Sequence, residues 1–407
     1  MMILRFHALL IAALASLAGP GARAGTDVAG ERPRASRPLT PIVEIRLRSE
    51  TVEQAGLADD AEAVTLRGRL GFETAGVRKT SLLADAELLW PLATRYNSMV
   101  NGKTAFPVVL DPETYELNRF QLINTAIPDT RVVLGRQRIT LDDHRFVGNV
   151  GWRQNEQTFD ALRITNDSVA DLTIDVMYVD QVNRVHGKDS PVGRYHGDSY
   201  LANVAYATAA GRLTAFAYVL DLDEAPADSL RTVGLRFAGN RGIKEIGLAY
   251  RVAYASQRDH AGNPLVFEAE SYSFDFTGSY RRVSLGAGRE VLAGDGVKGF
   301  STPLATLHTF QGWADKFLVT PPDGIDDRYV TAGYVKQRSG SIERLSAIAS
   351  YHVFEAERVA LDHGSELDLQ LRAEWKRLRA ALKYADYDSD GFASDTTKLW
   401  AEVELVW

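Results

Sequence analysis

"EAVTLRGRLGFE", residues 62–73, decides the fold. Val64, Leu66, Gly68, Leu70 and Phe72 fall on one parity, and Thr65, Arg67, Arg69, Gly71 and Glu73 on the other. Side chains alternate across a β-strand, so one face meets an apolar medium and the other does not. The same alternation returns at Leu367, Leu369, Leu371, Ala373 and Trp375, and at Ile246, Leu248, Tyr250, Val252 and Tyr254.

About eighteen such segments follow one another from Pro41 to the last residue. They start near residues 41, 62, 80, 116, 130, 157, 170, 197, 211, 230, 243, 266, 279, 327, 343, 365, 378 and 396. Many approach the ~9–11 residues that cross a bilayer at a tilt. Short turns are expected at 126–130, 208–212, 238–242, 277–279 and 338–342, and long connections near 92–115, 141–156, 184–196 and 291–326. With both barrel ends on the short-turn side, every long connection falls on the opposite side, the habit of outer-membrane barrels.

The chain has 407 residues, a formal charge of -7, no cysteine and a mean hydropathy of -0.17. "MMILRFHALLIAALASLAGPGARAG" has a basic start, an apolar run from Ala8 to about Ala18 and an "ARA" ending at Ala24. It reads as a secretory signal cleaved near Ala24. Cleavage removes Arg5 and Arg23 and takes the charge from -7 to about -9. Residues 25–40 are polar and proline-bearing, a flexible periplasmic leader, and residues 41–407 are the barrel. An exported chain without cysteine has no disulfides. No later apolar run approaches the ~18 residues of a spanning helix, so a membrane form has to be a closed barrel. The fold expected is all-β: a transmembrane antiparallel β-barrel of about 18 strands in the outer membrane of a Gram-negative bacterium.

Soluble alternatives fit less well. A β-sandwich needs far fewer strands, and a propeller needs a ~40–50-residue repeat that is missing. The polar parity carries too many charges for a buried core, but it suits a watery lumen. Trp90, Tyr178, Tyr206, Tyr254 and Trp375 suit interfacial girdles. The final stretch "TKLWAEVELVW" ends the chain on Trp407.

Three stretches resemble the alginate-export-like outer-membrane channels: "RYNSMVNGKTAFPVVLDPETYELNR" (95–119), "LGRQRITLDDHRFVGNVGWRQNEQTFDALR" (134–163) and "GDGVKGFSTPLATLHTFQGWADKFLVTPPDGIDD" (294–327). That resemblance implies an eighteen-stranded barrel with an arginine-rich pore for an anionic polysaccharide. It also implies a C-terminal strand read by the barrel-insertion machinery, where Phe is more usual than Trp. Outer-membrane lipid and lipopolysaccharide are the expected surroundings. No phosphate-binding glycine motif is present, and the acidic charge disfavours nucleic acid.

Pore-lining candidates on the polar parity are Arg67, Arg69, Arg119, Arg136, Arg138, Arg163, Arg236, Arg251 and Arg282, with Arg46, Arg48 and Arg372 beside them. A guanidinium offers carboxylates a flat fork of donors and keeps its charge. A run of weak sites of this kind would pass an anion along. Glu44, Glu73, Asp85, Glu87, Asp175, Asp275, Glu366, Asp368, Glu374, Glu402 and Glu404 share that parity, so structural pairing stays open as the other reading.

The loop "DDHRFVGNVGWRQNEQ" is expected to fold inward, with Asp142, Asp143, His144, Arg145 and Arg153 as constriction residues. His144 alone there titrates near neutral pH. Asp142, Asp143 and His144 also suit a barrel hydrolase, although no second Asp–His group or serine nucleophile motif accompanies them. The connection at 291–326 suits a plug or lid and has a weak helical period at Leu304, Leu307, Phe310 and Trp313. Asp386, Asp388 and Asp390 in "DYDSDG" resemble half of a calcium loop, but Thr397 stands where an EF-hand has Glu, so any Ca²⁺ is weakly held; no other cofactor is expected.

The expected function is therefore a passive outer-membrane channel for an anionic polysaccharide or oligosaccharide. The alternatives are a small-solute porin for organic acids or sugars, and a barrel hydrolase.

Overall fold

The computed structural model describes residues 38–407; the signal segment and most of the leader lie outside the described residues. The strands are β1 (Leu39–Gln54), β2 (Ala61–Thr74), β3 (Thr80–Arg95), β4 (Thr114–Asn124), β5 (Thr130–Gln137), β6 (Thr158–Asn166), β7 (Leu172–Asn183), β8 (Arg194–Thr208) and β9 (Gly211–Leu220). They continue as β10 (Leu230–Ile243), β11 (Ile246–Asp259), β12 (Glu268–Tyr280), β13 (Val283–Leu292), β14 (Ile325–Ser339), β15 (Ile342–Glu355), β16 (Asp362–Trp375), β17 (Leu378–Asp388) and β18 (Thr396–Val406). Each strand pairs antiparallel with the next, and β1 pairs with both β2 and β18. The 18-stranded sheet is closed, so no edge is left unpaired.

The alternation fixes which face points outward. On β2, Ala63, Thr65, Arg67 and Arg69 are buried inside, while Leu66 and Leu70 are exposed outside. Trp90, Tyr115, Phe120, Tyr200, Tyr206, Tyr254 and Phe276 extend the exposed apolar surface round the wall. A soluble protein does not leave so much contiguous apolar area in water; a bilayer-facing barrel does.

Two expected turns move. "AGNRG" (238–242) and "TGS" (277–279) lie inside strands, and the turns fall at Lys244–Glu245 and Arg281–Arg282. Lys244 (φ 56°) and Arg281 (φ 54°) take the left-handed conformation a two-residue hairpin needs. Gly239 stays in β10 because its missing side chain makes room: a Cβ there would sit 2.7 Å from the Tyr250 ring. The helical period at 304–313 yields one short 3₁₀ turn, Leu307–Thr309.

The upper lumen is not empty. Loops 138–157 and 293–324 turn inward and pack on the inner wall. Ile139, Leu141, Val147, Phe300, Leu304 and Phe317 join Phe159, Phe216, Tyr218 and Phe354 from the strands in one buried apolar cluster. Outside this packing, the inner wall is charged.

Candidate functional site

The charged wall follows from strand register. Arg46 of β1 stands opposite Arg67 of β2 and Glu404 of β18; Glu44 stands opposite Arg69, and Arg69 opposite Glu87. Like charges directly opposite repel, and here Glu404 Oε1 answers both arginines. It accepts from Arg46 Nη2 at 2.9 Å and Arg67 Nη2 at 2.8 Å. Glu44 Oε2 takes Arg69 Nη1 at 3.0 Å, while Arg69 Nε donates to Glu87. Arg48 Nη2 donates to Glu402 Oε2 at 2.7 Å, and Arg119 Nε to Asp85 Oδ2 at 2.9 Å. On the next wall, Arg163 grips Asp175 at 2.6 and 3.0 Å. Most of these side chains are nearly water-free, where an unpaired charge is costly.

Loop 138–157 crosses this lumen and is pinned on several sides. Arg145 Nε donates to Glu290 on β13 at 2.7 Å. Arg153 reaches Glu50 on β1 at 3.3 Å and Asp315 of loop 293–324 at 2.9 Å. Asp142 accepts from Asn203 of β8 at 2.9 Å and pairs with Arg236 of β10 at 3.3 Å. Asp143 pairs with Arg236 at 3.2 Å and with Arg251 of β11, which also holds Asp275 at 2.7 Å. Glu156 accepts from Asn118 at 2.7 Å and Arg138 at 2.6 Å, and lies 3.2 Å from Arg69. Burial works to raise the Glu156 pKa, but Arg138, Arg69 and Arg119 outweigh it and hold the carboxyl below its usual range. Burial raises Asp142 against the pull of Arg236, and burial lowers His144.

The two inward loops are bonded to each other. Gly148 N donates to Leu304 O at 2.9 Å, and Thr306 N to His144 O at 3.0 Å. A Cβ on Gly148 would fall 2.2 Å from Thr306 Oγ1, so only glycine permits this approach. The His308 ring stacks on Trp152 at 4.5 Å and donates from Nδ1 to Asp315 Oδ1 at 2.7 Å. With Nδ1 carrying the proton, Nε2 is the acceptor, and Lys383 Nζ of β17 donates to it at 2.7 Å. The Lys383 ammonium also lies over Trp313 at 3.7 Å and Trp152 at 4.0 Å, so one wall lysine contacts both loops. Burial holds His308 well below its ordinary pKa, with Asp315 pulling upward and Lys383 pushing further down. Burial works to raise Asp315, but His308, Lys398 and Arg153 hold it well below its ordinary value.

The expected site residues divide as follows. Arg67, Arg69, Arg119, Arg163, Arg236 and Arg251 line the inner wall, and Arg138 stands at its upper edge; each pairs with a carboxylate. Arg136 does not line the lumen. It stands opposite Phe120 and Asp160, on the face of exposed Leu134 and Leu162, and clamps Asp160 at 2.7 and 2.8 Å outside. Arg282 is exposed in the β12–β13 turn. The constriction residues Asp142, Asp143, His144, Arg145 and Arg153 do come together inside. They form no hydrolase dyad: arginines take both carboxylates, and no hydrogen bond joins the His144 ring to either. Asp386, Asp388 and Asp390 are not gathered in one place: among the described residues no group of three His, Asp or Glu side chains is placed to share a metal ion. Asp386 and Asp388 belong to β17, beside outward Tyr384, and Asp386 accepts from Thr397 at 2.9 Å. Sequence reasoning missed Lys383, Trp152, His308 and Asp315. The inward parity of Lys383 between Ala381 and Ala385 is the one signal it offered.

No protein-family model matches this sequence, and no curated protein matches it. Solved structures do match its fold. OccAB4 of Acinetobacter baumannii superposes with a TM-score of 0.70 at 13% identity, over 92% of this chain and 100% of that one. OpdK of Pseudomonas aeruginosa, solved with vanillate, gives 0.64 at 13% identity over 90% and 98%. OccK9 (OpdG) of the same organism gives 0.65 at 17% over 90% and 98%. OpdK is described as an outer membrane protein. The eighteen-stranded closed barrel is thus a fold this chain shares with these proteins.

Proposed function

We propose that this protein is a passive channel of the Gram-negative outer membrane for small solutes, with organic acids the favoured class. The observation that carries the reading is the doubly pinned constriction. Loops 138–157 and 293–324 pack on each other and on the inner wall through Arg145–Glu290, Arg153–Glu50 and the Lys383 cage. A fixed narrowing of this kind suits small solutes.

Export of an alginate-like polysaccharide, expected from the family resemblance, has less support. It calls for a free track of arginines, and the lumen arginines are largely neutralised by facing carboxylates. The likeness to OpdK, whose structure carries the small carboxylate vanillate, favours the small-solute reading. The outward apolar belt supports the membrane location. The ion-paired Asp142 and Asp143 favour a channel over a hydrolase.

Single-channel currents in a planar bilayer, combined with liposome swelling in graded solutes, test this. Small open-channel currents and entry of benzoate-sized acids, without block by oligouronates, are expected. High-affinity block by oligouronates would restore the polysaccharide reading, and a barrel that inserts but passes no current would remove both.

A further inference from the structure

The short-turn end of the barrel carries an unbalanced charge along one arc. Arg281, Arg282, Arg338, Lys376 and Arg377 sit in or beside the turns from β12 to β17, and Lys336 faces outward just above one of them. Among the described residues, Glu245 and Glu343 are the outward acids here: Glu245 lies in the β10–β11 turn, 3.5 Å from Arg281, and Glu343 shares the β14–β15 hairpin with Arg338. The chain as a whole is acidic, at -7, so this basic arc departs from its average.

An apolar groove lies directly above that arc on the outer wall. Ala332 stands opposite Ala349, and Tyr334 opposite Ala347; Leu369 and Leu371 follow on the next strand. These three alanines lie on the floor of a shallow trough of about 510 Å³ that runs from Val283 on β13 to Leu399 on β18. Lys336 shares the outward face of Tyr334, two residues and ~6.6 Å further along the strand. The Val335 amide donates to the Arg282 carbonyl at 2.8 Å, which brings the Arg281–Arg282 turn beside Lys336.

A shallow apolar trough that ends at a cluster of lysine and arginine has the chemistry of an anionic phospholipid site. We propose that this wall holds one anionic phospholipid of the turn-side leaflet. Its chain lies over Ala332, Ala347 and Ala349, and its phosphate rests at Arg282, Lys336 and Arg338. The inference rests on the outer-membrane reading above, but not on which solute the channel passes.

Native mass spectrometry of the detergent-purified barrel, titrated with phosphatidylglycerol or with phosphatidylcholine of the same chains, tests it. Phosphatidylglycerol adducts should exceed phosphatidylcholine adducts at least tenfold. Two variants should each lose that preference: Arg282→Ser/Lys336→Ser/Arg338→Ser removes the cations, and Ala347→Leu/Ala349→Leu fills the trough. Heat-modifiable gel mobility confirms that each variant is a folded barrel. Equal adducts of the two lipids overturn the proposal. Loss in the charge variant alone also overturns it, because that pattern describes a polyanion on the rim with no chain in the trough. Conductance on the same preparations separates the readings: a conducting barrel without lipid preference sinks this inference only, and a lipid-selective barrel without current sinks the channel.

Discussion

Arg46 and Arg67 face each other across the β1–β2 ladder and donate to the same oxygen of Glu404. Arg379 adds a third, longer contact to the other oxygen at 3.4 Å. One carboxylate on the last full turn of charge therefore ties the closing strand β18 to β1 and β2. Glu404→Gln should leave two nearly buried guanidiniums with only their longer contacts, Arg46 to Glu402 at 3.8 Å and Arg67 to Glu44 at 3.3 Å. Breaking such a pair costs about 3–5 kcal/mol. A clear drop in the unfolding temperature on heat-modifiable gels is expected, with a reversal potential moved toward anions. Unchanged stability would mean that water, rather than Glu404, solvates the arginines.

Arg153 offers a different test, because it ties loop 138–157 to both the wall and loop 293–324. Arg153→Met keeps the length of the side chain and removes the charge. Glu50 and Asp315 would then lose a partner inside the barrel. Larger and noisier single-channel currents are expected, since the crossing loop is released at that point. Currents identical to wild type would show that Arg145 and the apolar packing hold the loop alone.

The barrel was legible because period two leaves no other membrane solution, and the strand starts predicted from it fall within four residues of those observed. Turn positions were less legible. Glycine and asparagine at 238–242 look like turn chemistry, but Gly239 serves close packing against Tyr250. The lumen could be read by residue type only. Whether Arg67 is free or paired depends on which residue of β18 stands beside it, and register between strands that lie 337 positions apart is not local information. Arg136 was misplaced because the polar character of a side chain does not reveal that it clamps Asp160 on the outer wall. The upper lumen core was missed because Phe216, Tyr218 and Phe354 look like exceptions on a polar face until the loops that cover them are known.

The pH dependence has a definite sign. His308 in loop 293–324 sits well below its ordinary pKa, and burial lowers His186, in the connection between β7 and β8, to about 4. Their folded values are depressed, so an unfolded chain takes up protons near pH 6.5 that the packed loops refuse. Stability is therefore full above about 6.5 and falls as the pH drops through the window between 6.5 and the folded values, by up to about 1.4 kcal/mol per pH unit for each histidine. Denaturant unfolding in detergent at pH 8, 6 and 5 should show this decline. His308→Gln should reduce the slope without abolishing it, because His186 contributes the same sign. A slope that is equal in wild type and variant would place the titration elsewhere.

Asp143 gives the sharpest test of selectivity. It sits between Arg236 and Arg251, and each of these has a second carboxylate, Asp142 at 3.3 Å and Asp275 at 2.7 Å. Asp143→Asn should therefore cost little stability, less than about 1 kcal/mol, because these side chains are partly hydrated and neither arginine is stranded. It removes one negative charge from the constriction, so the reversal potential in a salt gradient should move toward anions and small carboxylates should enter faster. Arg136→Gln is the matched control: it also changes one charge, but on the outer wall, and should leave selectivity where it was. If the two substitutions shift the reversal potential by equal amounts in opposite directions, bulk surface charge sets selectivity. If Asp143→Asn alone shifts it, the solute passes within reach of Arg236 and Arg251.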